Sequence, residues 1–534
     1  MITLRSRLCY EPQELQFGTS GRRGQVAHLT QLEIYINALG ELRYLQALPP
    51  AEGGIAGGGE FYFGYDLRPS STRYVPEQQG RGEIAQAIEA AIRHSGLRPV
   101  NLGPIPTPAL AHYALGRGGG CIMVTGSHVP FDRNGYKTYT GRGELLKQHE
   151  RPIGEAVGRI RSELYGQQYQ ESLFDEWGFF KEGSRGLPPE REAGRAAYSQ
   201  RYAGFFAGQS LAGMRLVVYQ HSAVGRDLLV EVLRLFGAEA IPAGRAESFV
   251  PIDTENIDPA TMATIQGLAD AAGGADAVVS TDGDSDRPLI CGVDPAGKAR
   301  FFGGDLVGMI VAGYLRADAV VVPISCNDAI DRSDLAPISE PKTRIGSPHV
   351  IAGMERARRR GKRAVCGWEA NGGFLTGSDI ARNSATLSAL PTRDAMLPIL
   401  CTLFAAREKG LSLTELFGRL PRRFGRAGLL RRFPREAALA IIARFSGNDA
   451  GSRIEGIFTP ELGFGAAAGV DLTDGLRITF TNGDVAHVRP SGNADELRIY
   501  ATADTQERAD FIVAEGIAEP DGILRRMERE AASS

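Results

Sequence analysis

The sequence predicts an α/β protein of several domains, and three observations support this. The chain has 534 residues, too many for one hydrophobic core, and at roughly 150 residues per domain it should form three or four. Apolar strand-like runs alternate with helical segments, as expected of parallel sheets covered by helices. Polar, glycine-rich stretches follow several of these runs, where open α/β sheets hold their functional groups. We therefore expect several domains with a cleft between them.

Composition narrows the class of protein. Sixty Lys and Arg residues against 63 Asp and Glu residues leave a net charge of −3, so no nucleic-acid or membrane-surface partner is expected. The N-terminus lacks a signal-peptide pattern, and the longest apolar stretches are too short to cross a bilayer. The six cysteines show no Cys-x-x-Cys spacing and are predicted to be buried free thiols in a reducing compartment. A cytoplasmic location is expected, and no oligomeric state is assigned.

The first unit is expected over residues 1–190. It opens with Phe17–Gly24, where three glycines, two hydroxyls and two arginines suit an anion-holding loop, although a glycine-rich turn with solvated arginines is an alternative. The spacing of apolar residues predicts a helix over Leu29–Leu48, a strand over Phe61–Asp66 and a helix over Arg81–His94.

The stretch Val124–Lys137 is the centre of this first unit. The apolar run Cys121–Val124 predicts a buried strand that delivers Ser127 to the rim of the sheet. We interpret Ser127 as a nucleophile that carries phosphate. His128 and Lys137 add groups that can transfer protons or stabilise charge. The alternative is an ordinary strand-to-loop turn.

The second unit is expected over residues 191–294. Its strand Ala275–Ser280 leads into carboxylates at alternate positions, which can converge on one hard divalent cation, with Mg²⁺ the natural candidate. An EF-hand loop is excluded because its glycine and glutamate positions hold Arg287 and Val293. A solvated acidic turn is the alternative. The three carboxylates are those of Asp282, Asp284 and Asp286.

The third unit is expected over residues 295–425. Within Ala364–Phe374, Glu369 and Asn371 follow a short apolar strand and precede two glycines. This arrangement suits hydrogen bonds to neighbouring sugar hydroxyls, and a structural turn is the alternative. The basic run Arg422–Arg432 marks the next boundary and is interpreted as a solvated linker.

The fourth unit is expected over residues 426–534. Its most informative stretch is Arg489-Pro-Ser-Gly-Asn. A guanidinium fork, a hydroxyl, a side-chain amide and turn N–H groups match phosphate oxygens, so a phosphate cradle is predicted, with a surface turn as the alternative. The cradle residues are Arg489, Ser491, Gly492 and Asn493.

These loops, in this order and at this spacing, resemble the α-D-phosphohexomutase superfamily over nearly the whole chain. Thr-Gly-Ser-His with Asn-Gly-Tyr-Lys resembles its phosphoserine loop, and Asp-Gly-Asp-Ser-Asp-Arg its Mg²⁺ loop. Gly-Trp-Glu-Ala-Asn-Gly-Gly resembles its sugar-recognition loop, Arg-Pro-Ser-Gly-Asn its phosphate-binding loop, and Gly-Thr-Ser-Gly-Arg-Arg-Gly its N-terminal signature. The resemblance implies a four-domain phosphohexomutase-like architecture, with three related α/β domains plus a smaller C-terminal α+β domain around a central cleft.

Residue by residue, the resemblance makes Ser127 the phosphoryl carrier and, through its phosphate, a Mg²⁺ ligand. Lys137 and His128 are implied in proton transfer or charge stabilisation, and Arg23 and Arg287 in holding the transferring phosphoryl group. Such a set is coherent because phosphoryl transfer depends mainly on alignment and on neutralising charge. The implied Mg²⁺ ligands from the acidic loop are Asp282, Asp284 and Asp286.

The implied reaction interconverts hexose 1-phosphates and 6-phosphates. Phosphoserine gives its phosphoryl group to a hexose phosphate, the hexose 1,6-bisphosphate turns over, and the other phosphate returns to serine. The resemblance implies that sugar hydroxyls are met by Glu369 and Asn371. It also implies that the phosphate that does not react is held by Arg489, Ser491, Gly492 and Asn493.

The active-serine and sugar loops look most like those of bacterial phosphomannomutases, which favours mannose phosphate as the substrate. Glucose phosphate, dual specificity and, less favoured, glucosamine phosphate remain open, because mannose and glucose differ only at C2. Two departures from the common pattern are Asn371 in place of serine and Val129 in place of asparagine. Alternatives of other classes are a Mg²⁺-dependent sugar-phosphate phosphatase and a non-catalytic sugar-phosphate sensor.

Overall fold

The computed structural model describes residues 2–18, 21–183, 185–255, 257–447, 449–491 and 495–533. Its first unit has strands β1 (Arg22–Gln25), β2 (Glu60–Tyr65), β3 (Tyr74–Val75), β4 (Arg81–Gly82), β5 (Arg98–Pro104), β6 (Cys121–Val124), β7 (Arg133–Thr140) and β8 (Gly143–Glu144). The helices are α1 (Leu4–Arg7), α2 (Gln31–Ala47), α3 (Pro69–Thr72), α4 (Ile84–His94), α5 (Thr107–Leu115) and α6 (Lys147–Gly166). The main sheet has the order β1-β7-β6-β2-β5, with β8 paired to β7.

The second unit is a five-stranded sheet of order β10-β9-β11-β12-β13. Its elements are α7 (Ala193–Phe205), β9 (Arg215–His221), α8 (Arg226–Leu235), β10 (Glu239–Arg245), α9 (Pro259–Ala272), β11 (Ala277–Thr281), β12 (Pro288–Val293) and β13 (Ala299–Phe301). Because β13 pairs with β12, the expected boundary at residue 294 lies inside this sheet.

The third unit is a four-stranded sheet of order β14-β15-β16-β19, with a separate β17-β18 hairpin. Its strands are β14 (Ala319–Val321), β15 (Val365–Trp368), β16 (Phe374–Thr376), β17 (Ile380–Arg382), β18 (Ala385–Leu387) and β19 (Leu390–Asp394). Its helices are α10 (Gly304–Leu315), α11 (Ser347–Arg359), α12 (Met396–Lys409) and α13 (Leu413–Phe417).

The fourth unit is a five-stranded sheet of order β20-β24-β23-β22-β21, in which every pairing is antiparallel. Its strands are β20 (Phe424–Arg431), β21 (Ala467–Asp471), β22 (Leu476–Phe480), β23 (Val485–Pro490) and β24 (Glu496–Ala503). Its helices are α14 (Arg435–Arg444), α15 (Ala450–Ile457), α16 (Gln506–Ile517) and α17 (Ile523–Ala532).

The first three units share one hydrophobic cluster, and the fourth unit has a separate one. One large cluster joins apolar residues of the first three units, from Tyr62 to Phe417. The fourth unit has its own cluster, between Leu430 and Met527. Apolar burial therefore fixes the first three units to one another and leaves the fourth to be held by polar contacts.

The interpretation of the basic run as a solvated linker is wrong. Most of it forms strand β20, which pairs along its length with β24. The side chain of Arg423 is buried and donates hydrogen bonds to Asp328 at 2.7 and 3.0 Å and to Asp504 at 2.6 Å. Residues of the third and fourth units are thus tied together through one guanidinium at the junction, because its fork can serve two carboxylates.

The six cysteines are unpaired, and all except the exposed Cys9 are buried, so the prediction of buried free thiols holds for five of them. Among the described residues, no helix has both the length and the apolar character needed to cross a bilayer.

Candidate active site

Ser127 follows the end of β6, which lies between the parallel β2 and the antiparallel β7. Its φ of 54° lies in the left-handed region, which is unusual for a residue other than glycine. Its N–H donates to Thr125 Oγ1 at 2.7 Å, and its Oγ donates to Asp282 Oδ2 at 2.7 Å. The fully buried hydroxyl therefore faces the acidic loop of the second unit.

Arg68 shapes the serine loop and was missed by sequence reasoning. Its buried guanidinium donates to the Ser127 carbonyl at 3.1 Å and lies 3.7 Å from the centre of the Phe249 ring of the second unit. The loop is therefore wrapped around one cation. The other carbonyls that accept from this guanidinium are those of Val129, Pro130 and Arg133.

The acidic loop joins β11 to β12 and approaches the serine loop closely. A Cβ placed at Gly283 would lie only 2.7 Å from the Ser127 carbonyl oxygen, so glycine is required for this approach. The N–H and hydroxyl of Thr107, the first residue of α5, donate to the carbonyl and carboxylate of Asp284 at 3.0 and 2.5 Å. The positive end of this helix therefore faces an acidic residue, which is favourable.

The carboxylates of Asp282, Asp284 and Asp286 are buried, and one oxygen of each lies within 4.8 Å of the others. Lys137 Nζ donates to Asp284 Oδ2 and Asp286 Oδ2, both at 2.6 Å. The second oxygens of these two carboxylates are buried without a hydrogen-bond partner among the described residues. Buried oxygens rarely lack partners, and hard oxygen donors in this arrangement fit Mg²⁺.

The three carboxyl groups differ in acidity. Burial and the two neighbouring carboxylates raise the pKa of Asp282 well above its usual range. Burial acts in the same direction on Asp286, but Arg393 and Lys137 outweigh it and hold the pKa of that carboxyl below its usual range. Asp286 is thus the most strongly charge-compensated member of the set.

The adjacent arginines of the N-terminal signature have different surroundings because β1 pairs with β7 and successive side chains point to opposite faces. Arg22 turns into the first unit, where its Nε donates to Glu41 at 2.5 Å. Arg23 turns toward the site, and its Nε is buried without a partner among the described residues. Burial and the nearby Arg287 lower the pKa of Arg23 to about 10. A guanidinium whose Nε has no partner among the described residues, and which lies near other cations, suits an anion.

His128 and Arg287 form a pair beside the serine. Arg287 Nη1 lies 2.6 Å from His128 Nδ1, and Ser127 Oγ lies 3.4 Å from the same nitrogen. Because a guanidinium only donates, Nδ1 must be the accepting nitrogen of the ring. Burial and the charges of Arg287 and Arg23 hold the pKa of His128 well below its ordinary value. His128 is therefore neutral at pH 7.

The sugar loop forms the turn between β15 and β16. Glu369 is buried and accepts a hydrogen bond from Arg393 Nη1 at 3.0 Å. Asn371 Oδ1 accepts from the Gly373 N–H at 3.0 Å, and the Asn371 carbonyl accepts from Thr254 of the second unit at 2.8 Å. Glu369 is therefore linked to the acidic loop through Arg393, which also contacts Asp286. The side-chain oxygen and the carbonyl of Asn371 instead stabilise the turn. Arg393 was missed by sequence reasoning.

The predicted phosphate cradle lies at the end of β23. Arg489 Nε lies 3.1 Å from Asp474 Oδ2, and the Ser491 N–H donates to the Glu496 carbonyl at 2.9 Å. Gly492 and Asn493 lie outside the described residues. Arg498, directly opposite Arg489 in the β23-β24 pair, adds a second cation that sequence reasoning missed.

A cavity of about 780 Å³ separates the second and third units from the fourth, a size that suits a small ligand. Glu255, Ala370 and Tyr500 line it from three different units. Glu255 is exposed to the solvent of this cleft. Partial desolvation by the surrounding protein and the neighbouring Asp253 raise the pKa of its carboxyl group to about 7. This residue gave no signal in the sequence.

Comparison with known proteins identifies the family. All four models of the phosphoglucomutase/phosphomannomutase family match the chain: alpha/beta/alpha domain I over residues 14–163, domain II over 197–294, domain III over 303–424 and the C-terminal domain over 441–518. The chain therefore belongs to the phosphoglucomutase/phosphomannomutase family, and the resemblance to the phosphohexomutases is confirmed. It is an enzyme of the intramolecular phosphotransferase class.

Individual relatives match almost the whole chain. A phosphomannomutase of Sinorhizobium fredii is 37% identical over 94% of this chain and 98% of its own length. A phosphomannomutase of Salmonella muenchen is 36% identical over 93% of this chain and 94% of its own. The Aspergillus fumigatus N-acetylphosphoglucosamine mutase, solved with GlcNAc-6P and magnesium, shares the fold with a TM-score of 0.54 at 14% identity, covering 98% of each chain.

Proposed function

We propose that the protein interconverts mannose 1-phosphate and mannose 6-phosphate through a phosphorylated Ser127 and a hexose 1,6-bisphosphate. The observation that carries this proposal is the buried Ser127 hydroxyl, 2.7 Å from Asp282. It lies where three carboxylates, Lys137 and the Arg287–His128 pair converge. The two relatives named phosphomannomutase support mannose phosphate over the other hexose phosphates.

The charges of this site suit phosphoryl transfer. Asp282, Asp284 and Asp286 would hold Mg²⁺, which when bound supplies positive charge to the phosphoryl oxygens. Arg23 and Arg287 would bind the same phosphoryl group through their guanidinium groups.

Lys137, as an ammonium between two carboxylates, would stabilise negative charge or supply a proton to the serine oxygen as the phosphoryl group leaves it. The neutral His128 would orient Arg287 through its Nδ1.

The sugar would lie across the cleft. Glu369, with Asn371, would accept hydrogen bonds from its hydroxyls, and Arg489, Ser491, Gly492 and Asn493 would hold the phosphate that does not react. The same cradle must accept either end of the sugar, because the bisphosphate turns over between the two transfers. Glucose phosphate as a second substrate is consistent with this site, since a single epimeric hydroxyl alters binding only modestly.

The test is a coupled assay of isomerisation on mannose 1-phosphate and glucose 1-phosphate, with Mg²⁺ and a trace of hexose 1,6-bisphosphate, while free phosphate is monitored. We expect 6-phosphate without phosphate release. Ser127→Ala should lower kcat on the order of 10³-fold or more, because the nucleophile is lost. Ser162→Ala, which changes an exposed hydroxyl on α6, is the matched control.

The ratio of the two kcat/KM values identifies the preferred epimer. Phosphate release that survives Ser127→Ala would contradict the mutase mechanism and support the phosphatase alternative.

A further inference from the structure

The side chain of Arg393 bridges two loops that have different proposed tasks. Its Nε and Nη2 both donate to Asp286 Oδ2, at 3.1 and 3.0 Å, and its Nη1 donates to Glu369 Oε2 at 3.0 Å. The residue is 3% exposed. We propose that Arg393 is a positioning residue that couples the metal loop to the sugar-recognition loop, so that one guanidinium orients Asp286 for Mg²⁺ and Glu369 for the hexose.

The contacts of Asp286 show how this orientation works. Arg393 and Lys137 both donate to Oδ2, whereas Oδ1 accepts no hydrogen bond from the described residues and lies 3.6 Å from Arg287 Nε. The carboxylate is therefore held by hydrogen bonds to one oxygen, and the other oxygen can still bind a metal ion. A planar guanidinium can bind Asp286 and Glu369 at once, whereas a lysine ammonium has no such fork.

The backbone of Arg393 is fixed by the residues on either side of it in β19. Thr392 Oγ1 donates to Glu144 of the first unit at 2.7 Å. Asp394 accepts hydrogen bonds from two buried tyrosines of α7 in the second unit and from the N–H of Met396 at the start of α12. The two tyrosines are Tyr198 and Tyr202.

Glu144 also accepts a hydrogen bond from Ser347 Oγ at 2.6 Å, and Ser347 Oγ accepts one from Arg393 Nη1 at 3.2 Å. The guanidinium is thus anchored from all three units that share the large hydrophobic core.

The sugar loop is shaped to admit this side chain. Gly373 lies directly against Arg393, and a Cβ placed there would lie 2.7 Å from Arg393 Cγ and closer still to Cδ. Gly373 does not have a positive φ. Glycine is therefore required here because a side chain would collide with Arg393, and not because of the backbone conformation. A change at either residue should therefore disturb the same bridge.

The inference rests on the proposed function, in which Asp286 binds the metal and Glu369 the sugar. Its test distinguishes a failure of the inference from a failure of the proposed function. Mg²⁺ binding to Arg393→Lys is measured by calorimetry in the Ser127→Ala background, so that no turnover is needed. We expect the Kd for Mg²⁺ to rise about 10-fold or more, as for other residues that orient a metal ligand. A Kd unchanged from that of Ser127→Ala alone would overturn the metal half of the proposal, whether or not the protein is a mutase.

The sugar half is tested by a double-mutant cycle with Ser127 intact. Arg393→Lys should raise KM for mannose 1-phosphate about 10-fold at saturating Mg²⁺, and in the Glu369→Gln background it should raise KM little further, because the two act as one unit. A KM effect that adds fully to that of Glu369→Gln would show that Arg393 does not act through Glu369.

Two further variants guard against a merely structural effect. Gly373→Ala keeps the arginine but crowds it, and it should raise the same two constants, so it serves if Arg393→Lys does not fold. Arg161→Lys breaks a comparable double contact, from Arg161 Nη1 and Nη2 to Glu33 at 2.6 and 2.8 Å, far from the site. It should leave both constants unchanged, and an equal shift in this control would overturn the proposal.

Discussion

The two sides of the cleft hold charge in different ways. On the serine side, Lys137 and Arg393 are almost fully buried and contact the acidic loop at 2.6–3.1 Å. On the cradle side, Arg489 retains 13% exposure and has one carboxylate partner, Asp474, at 3.1 Å. The serine side is preorganised for a reaction that develops charge in a fixed place. The cradle side has a cation whose partner a phosphate can replace.

Asp474, the carboxylate partner of Arg489, also helps to hold the fourth unit against the third. Its Oδ2 also accepts a hydrogen bond from the Ile345 N–H of the third unit at 2.9 Å. The fourth unit has a separate hydrophobic core, so polar contacts of this kind hold it against the third. A cradle that binds either phosphate of a bisphosphate and then releases it benefits from ion pairs that a phosphate can replace. The serine side has no such need, because its charges stay in place.

The largest expected effect breaks the serine side. Lys137→Ala leaves Asp284 and Asp286 with two buried charges that lost a partner at 2.6 Å. We expect kcat to fall about 10²–10⁴-fold, the range for a lost proton-transfer or charge-stabilising group. Steady-state kinetics at saturating Mg²⁺ measures it. Lys147→Ala, which removes a half-exposed ion pair with Glu150, should change activity little; a similar loss in both would contradict the comparison.

A smaller effect is expected from the cradle side. Arg489→Ala removes a cation that the proposed mechanism uses for binding, so KM for mannose 1-phosphate should rise about 10–100-fold, in line with roughly 1.5–3 kcal/mol for a charge-assisted hydrogen bond. The Mg²⁺ Kd of this variant should stay at the wild-type value, which calorimetry measures. A change in Mg²⁺ affinity as large as that in KM would show that the two sides are not separate.

Local sequence patterns were sufficient for much of the fold and for the residues that lie on loops after strands. The helix expected over Leu29–Leu48 is found over Gln31–Ala47, because its apolar spacing and its Thr30 cap agree. Ser127 and Lys137, which the sequence singles out in one stretch, both contact the acidic loop, and the pairing of β6 with β7 holds the two ends of that stretch together. The prediction of a linker fails for the basic run because its apolar residues show no regular alternation, so its charges dominate the pattern, and pairing with β24 makes it a strand.

Residues whose role depends on distant partners could not be found in this way. Arg68 follows β2 and Arg393 lies within β19, both without a neighbouring motif. The carbonyls that Arg68 contacts are 59 to 65 residues away, and the carboxylates that Arg393 contacts are 24 and 107 residues away. Glu255 likewise lines a cleft that forms only where three units meet. Such contacts are set by tertiary packing and leave no periodicity in the chain.

The smallest expected effect sharpens the comparison through two buried histidines, one in each region. Burial lowers the pKa of His487, in the fourth unit, to about 4, and that of His221, beside the acidic loop, also to about 4. The unfolded chain binds the proton near pH 6.5 and the folded chain does not until about pH 4. Stability therefore falls as pH falls through this window, by about 2 kcal/mol per histidine at pH 5.

Because the fourth unit has its own core, the stability that it loses at low pH should be lost in that unit alone. Hydrogen exchange at pH 7 and pH 5, corrected for the intrinsic rate, should show that His487→Gln removes the acid sensitivity of the fourth unit alone, whereas His221→Gln does so for the block of the first three units. The glutamine amide can still donate to the carbonyl that each histidine contacts, Asp474 or Thr281. If either variant alters the acid response of both regions equally, the fourth unit and the first three units open together. The polar contacts at Asp474 would then not let the fourth unit open independently.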